Sequence, residues 1–199
     1  MNRKSLPVWL IATLALTLVL SANSALAKGG LHSDFEGGVL KPWQAGGTAD
    51  QKLSIATGDD GCALGKAFAE VTFTHMGDSQ GAWIVAPLAG TVAQNDVVML
   101  DWSGKDASNC AACIPVYYIG ATAPTSISQF RKAAPSGNDP VPVGAWTAYH
   151  YPAPGDYQEP IKNTGTVYVA VGYVAPSTKD KQLSAVGFDC IDIVVYPAP

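Results

Sequence analysis

The stretch AFAEVTFTHM, residues 67–76, decides how the rest of the chain is read. Phe68, Glu70, Thr72, Thr74 and Met76 fall on one side of an extended backbone. Ala67, Ala69, Val71, Phe73 and His75 fall on the other. That period of two marks a β-strand, because successive side chains leave a strand on opposite faces. Seven more runs rich in β-branched and aromatic residues follow the same grammar: KLSIAT (52–57), AWIVAPL (82–88), DVVMLDWSG (96–104), IPVYYIG (114–120), AWTAYHYP (145–152), TVYVAVGYV (166–174) and GFDCIDIVVY (187–196). Gly, Pro, Asn and Asp punctuate them, and helical periodicity is almost absent between them. An all-β antiparallel sandwich is the expected fold. Two long connections interrupt the rhythm, at 121–144 and 152–165, and the second holds Tyr157 between Asp156 and Glu159. Within the first, SQFRKAA reads as one short helical turn.

The start of the chain reads differently. Arg3 and Lys4 precede an apolar run from Val8 to Leu20, and Ala25-Leu26-Ala27 closes it with small residues. This is the layout of a cleaved secretory signal over residues 1–27, too short for a comfortable membrane span. Residues 28–199 are then a single secreted or periplasmic domain. No later segment is apolar enough to cross a bilayer. Loss of the signal moves the formal charge from −4 to about −6. With no Lys/Arg cluster, that balance argues against a nucleic-acid partner. Glycine and proline are plentiful (20 and 14) and charged residues few (14%), as suits a turn-rich extracellular β domain.

Four cysteines, Cys62, Cys110, Cys113 and Cys190, all follow the signal. An even number in an exported chain points to disulfides, with three pairings open. CAAC (110–113) lacks the histidine of a haem-attachment motif, and no second ligand pair for zinc accompanies it. No nucleophile elbow, zinc-protease helix or phosphate loop is present, so catalysis has no recognisable constellation. A two-carboxylate glycosidase needs no sequence motif and is kept as the least favoured reading. Aromatic residues offer another function. Flat rings suit the C–H faces of sugars, and Tyr118, Tyr149, Tyr151 and Tyr157 are the candidates, with Tyr117 and Trp102 beside them. Trp43, Trp83 and Trp146 read as core rings.

The order of these pieces resembles a known family. SDFEGGVLKPWQ (33–44) resembles the opening of secreted jelly-roll modules of the cleaved-adhesin, or choice-of-anchor, type. GAWIVAPLAGTVAQNDVVMLDWSG (81–104), VPVGAWTAYHYP (141–152) and VYVAVGYV followed by GFDCIDIVV (167–174, 187–195) are similar to that family's later segments. The resemblance implies a two-sheet antiparallel jelly roll, related to MAM-like and carbohydrate-binding-module-like domains, with a structural calcium near the joined first and last strands. Glu36, Asp60 and Asp189 are the ligands it implies. It also places the strand after the calcium turn beside the C-terminal strand, which pairs Cys62 with Cys190 and leaves Cys110 with Cys113. The implied work is extracellular recognition or adhesion toward a glycan or protein. Self-assembly into a matrix or filament is the alternative.

Simple alternation along the last strand groups Asp189 with Ile191, Ile193 and Val195, and Phe188 with Cys190, Asp192 and Val194. On that reading Asp192 reaches solvent.

Overall fold

The computed structural model describes residues 27–47, 51–58, 65–73, 80–88, 92–106, 113–133, 145–152, 160–162, 164–175 and 185–197. The secretory signal expected over residues 1–27 lies outside these residues apart from Ala27. So do Asp60, Cys62, Cys110, Tyr157 and His75. Eleven strands run through the described residues: β1 (Gly29–Ser33), β2 (Gln44–Gly47), β3 (Gln51–Thr57), β4 (Ala67–Phe73), β5 (Gln80–Leu88), β6 (Val97–Asp106), β7 (Ile114–Gly120), β8 (Arg131–Lys132), β9 (Thr147–Tyr151), β10 (Val167–Ala175) and β11 (Ala185–Tyr196). Every pairing is antiparallel, in two sheets. The first has the order β3-β4-β11-β6-β9, with β1 also paired to β11; the second has the order β2-β5-β10-β7-β8. The expected all-β sandwich of two antiparallel sheets is the fold observed.

The sheets bury a shared apolar layer. Val71, Leu100, Trp102, Tyr149, Phe188, Ile191 and Ile193 come from the first sheet, and Ile84, Val169, Val171 and Tyr173 from the second. Each aliphatic side chain removed from water contributes about 1.5–3 kcal/mol. Trp102 lies at the centre, stacked on Tyr149 at 4.4 Å and 27° and edge-on to Tyr173 at 6.0 Å. Trp43 closes one end, and its indole N–H donates to Ser33 Oγ at 2.8 Å. A smaller cluster of Trp83, Val85 and Ala170, with Tyr168 and Tyr118 beside it, is covered by Ile127 and Phe130 from the 121–133 connection. The helical turn expected at SQFRKAA sits earlier, as a 3-10 turn over Ile127–Gln129. Ser126 caps it and Gln129 reaches back to the cap, so Arg131 and Lys132 are released to pair with β7 as a strand.

The last strand departs from simple alternation. β11 pairs with β6 at Asp189↔Ser103 and resumes at Asp192↔Asp101, so three steps along β11 oppose two along β6. The extra residue is a β-bulge, and Cys190 there has φ +47. A one-residue insertion exchanges the two faces. Val186 and Phe188 before the bulge, and Ile191, Ile193 and Val195 after it, therefore all enter the core. The grouping of Phe188 with Asp192 is corrected accordingly. On the other side of β11 the same point divides its partners: β4 pairs with residues 185–188 and β1 with residues 191–195.

Three strands, β1, β2 and β8, had no signal in sequence. β1 and β2 read GGLHS and QAGG, compositions that disfavour strands. Their glycines serve close approach instead. A Cβ on Gly30 would stand 2.0 Å from the carbonyl oxygen of Ile193, and one on Gly46 2.2 Å from the indole nitrogen of Trp83.

Candidate functional site

A cleft of about 250 Å³ opens on one flank of the sandwich. It lies where β9, at the edge of the first sheet, meets β7 and β8, at the edge of the second. β8 is two residues long and pairs only with Val116 and Tyr117, so the rest of the β7 edge borders the cleft. The rings of Tyr117 and Tyr151 meet across the two sheets at 4.5 Å and 37°. Both are half-buried, packed on the core from one side and lining the cleft on the other. Tyr118, pointing from the opposite face of β7, also lines it, and its hydroxyl donates to the Thr122 carbonyl at 2.9 Å.

Three polar side chains complete the lining. Arg131 is the cross-strand partner of Tyr117 and so lies on the same face. Gln129 belongs to the capped 3-10 turn, where its Oε1 accepts the N–H groups of Thr125 and Ser126 at 2.7 and 2.9 Å. Lys162 comes from the segment 160–162, which is laced to the turn before β6. There Asn95 N–H donates to the Ile161 carbonyl and Ile161 N–H donates to the Asp96 carbonyl, both at 2.8 Å. The Asp96 carboxylate, itself buried, accepts from Lys28 Nζ at 2.8 Å and from Ala93 N–H at 2.7 Å.

Of the tyrosines expected to face a ligand, Tyr118 and Tyr151 reach this cleft. Tyr149 does not: it is buried between the sheets against Trp102, and Trp102 is buried with it. Tyr157 lies outside the described residues. Tyr149 and Tyr151 share a strand face, but Tyr149 lies toward the strand's middle, under the second sheet, and Tyr151 at its open end. The polar half of the cleft went unread in sequence. Its one available signal was Ser126-x-x-Gln129, the spacing of a capping box, which fixes where the turn begins and thus where Arg131 goes. Trp146, read as core, is half-buried instead, edge-on to Phe68 at 5.2 Å with Lys105 Nζ over its ring.

Glu36 and Asp189 are both tied to backbone. Glu36 Oε1 accepts the N–H groups of Lys66 and Ala67, each at 2.7 Å, capping the start of β4. Asp189 is fully buried at the bulge, and its Oδ1 accepts Cys190 N–H at 2.8 Å. Strand register brings the end of β1 and the start of β4 to that bulge. Among the described residues no three His, Cys, Asp or Glu side chains converge as a metal site; Asp60 lies outside them. Cys113 and Cys190 are both disulfide-bonded.

No protein-family model and no curated protein matches the chain. Solved structures match in fold. The CBM22-1 xylan-binding domain of Paenibacillus barcinonensis Xyn10C matches with a TM-score of 0.56 and 17% identity, over 87% of this chain and 100% of that one. A structure described for the promiscuous specificity of carbohydrate-binding modules of the β-sandwich superfamily matches at 0.54 and 16% identity, over 81% and 60%. The enzymatically active domain of tailspike protein 4 of bacteriophage CBA120 matches at 0.50 and 5% identity; this chain spans 82% of itself and 20% of the tailspike chain. The shared property is the architecture, a two-sheet β-sandwich.

Proposed function

We propose that this protein is a non-catalytic glycan-binding domain and that the flank cleft is its binding site. The observation that carries the reading is the Tyr117–Tyr151 ring pair, set in a concave site with Arg131, Gln129 and Lys162 around it. Aromatic rings against sugar C–H faces, with a few convergent polar groups to fix orientation, are the ordinary make-up of such a site. Ligand pockets commonly measure about 300–1,000 Å³, and this one, at about 250 Å³ just below that range, suits a short stretch of glycan. Support comes also from the fold: the Xyn10C domain is described as xylan-binding, and a related xylanase CBM22-1-GH10 structure as complexed with xylohexaose. Export through the N-terminal signal and an adhesion role of the cleaved-adhesin kind belong to the same proposal.

Affinity electrophoresis against a panel of soluble polysaccharides tests it. At least one polymer should retard the full chain, and Tyr151→Ala should remove most of the retardation while far-UV circular dichroism stays unchanged. A folded chain that migrates identically in every gel would refute the reading.

A further inference from the structure

Phe130 follows the 3-10 turn with an extended backbone, φ −84 and ψ 154, so its ring and the side chains next to it leave the chain on opposite sides. Gln129 and Arg131 line the cleft. Phe130 goes the other way, onto the outer face of the second sheet, where its ring lies 4.8 Å from that of Trp83 and 5.8 Å from that of Tyr118. Resting on the glycan-binding reading above, we infer that Phe130 is a positioning residue for the cleft, and that Trp83, outside the cleft lining, is coupled to ligand binding through it.

The seat for Phe130 is apolar and rigid. Trp83 is 1% exposed, and its indole N–H is buried without an acceptor. Backbone presses on it from two strands: besides Gly46, a Cβ on its cross-strand partner Gly172 would stand 2.5 Å from the Trp83 Cβ. A ring held in this way offers Phe130 a fixed surface. The ends of the 121–133 connection are tied to β7, where the Tyr118 hydroxyl donates to the Thr122 carbonyl and Ala133 N–H donates to the Pro115 carbonyl at 2.8 Å. Between these ties Ile127 and Phe130 pack on the sheet, while Ser126 and Gln129 bond within the turn. How deeply Phe130 sits against Trp83 therefore sets where Gln129 stands in the cleft. Tyr118 belongs to both places, since it lines the cleft and its ring meets Phe130. A ligand held against Tyr118 and Gln129 favours the seated segment, and by linkage the seated segment favours the ligand by the same factor.

The full chain is tested in gels of the polysaccharide panel above, with soluble xylan, β-1,4-galactan and alginate among them. Phe130→Leu keeps an apolar side chain but loses both ring contacts. It should bind the retarding polymer about fivefold or more weakly, at a temperature where it is fully folded. Phe130→Tyr keeps the ring and should bind like the parent. Val71→Ala, in the core on the first sheet, lowers the melting temperature without touching this segment and should leave affinity unchanged. A second readout is spectroscopic: saturating the parent with the polymer should change its tryptophan emission, and Trp83→Phe should abolish that change. Parent affinity in Phe130→Leu, an equal loss in Val71→Ala, or unaltered emission at saturation would overturn the inference and leave the cleft reading standing. No retardation by any polymer would overturn both.

Discussion

Asp192 on β11 stands directly opposite Asp101 on β6, and both carboxylates leave the outer face of the first sheet. His32 lies opposite Asp192 on one side, and His150 lies opposite Asp101 on the other. A His-Asp-Asp-His rung thus crosses four neighbouring strands. His150 Nδ1 is hydrogen-bonded to Asp101 Oδ1, and His32 Nδ1 is 3.8 Å from Asp192 Oδ1. Simple alternation brought Asp192 to solvent correctly, but its facing carboxylate is a matter of register between strands ninety residues apart in sequence.

Like charges directly opposite on one sheet face are unfavourable, by about 0.2–1 kcal/mol. Asp192→Asn removes one of them while preserving shape and leaving the Asp101–His150 bond intact. The melting temperature should rise by about 1–3 °C. Concentrated salt should shrink the gain, because both side chains are half exposed to solvent. A lower melting temperature at every salt concentration would show that the contact between Asp192 and His32 outweighs the repulsion.

The bulge at Cys190 yields a sharper contrast. Cys190→Gly removes the disulfide but accepts φ +47 readily, so the strand keeps its register and the chain folds with reduced stability. Deleting Cys190 loses the same disulfide and also the extra residue. Either Phe188 and Val186 or Ile191, Ile193 and Val195 must then turn out of the core. Soluble expression and near-UV circular dichroism should separate the two variants, the first native and the second not. Non-reducing peptide mapping of the parent chain is expected to join Cys62 to Cys190 and Cys110 to Cys113. The longer closure contributes up to roughly 4–5 kcal/mol in the chain-entropy account. A Cys62–Cys110 peptide would refute that pairing.

The strands that announced themselves were those whose own side chains build the core, such as β4, β7 and β10. β1 and β2 stayed silent because their role is to let a neighbour's backbone or indole come close, which only glycine permits. The site was legible to the same degree. Tyr118 and Tyr151 stood out as aromatic residues at strand positions. Burial of Tyr149 depends on how far the second sheet extends over β9, a fact of tertiary packing. Arg131 and Lys162 sit on connections whose course is set by the Ser126 cap and by the backbone of Asn95 and Asp96, far from either residue's own preference.

The calcium proposal can be separated from the capping role of Glu36. Glu36→Gln keeps an oxygen able to accept the N–H groups of Lys66 and Ala67 but removes the charge a calcium ion needs. If Glu36, Asp60 and Asp189 share an ion, chelator lowers the melting temperature of the parent chain. The Gln variant then melts at that lower temperature with or without chelator. Identical melts of the parent chain before and after metal removal would eliminate the ion.

Asp96 links the fold to the cleft. Its carboxylate holds Lys28 and the Ala93 N–H, and its carbonyl holds the segment that carries Lys162. Asp96→Ala strips the half-buried Ala93 N–H of its acceptor, at a cost of about 1–3 kcal/mol. The melting temperature should drop by several degrees. Lys28→Ala should cost less, because that ammonium is partly exposed and the pair is open to water on its side. The two variants should also differ in binding. With the turn at 93–96 loosened, residues 160–162 lose their anchor and Lys162 its position. Affinity for a polysaccharide that the parent chain binds should then fall in Asp96→Ala at temperatures where the chain is fully folded, and remain near that of the parent in Lys28→Ala. Full affinity in folded Asp96→Ala would show that the latch serves stability alone and that Lys162 is positioned by other contacts.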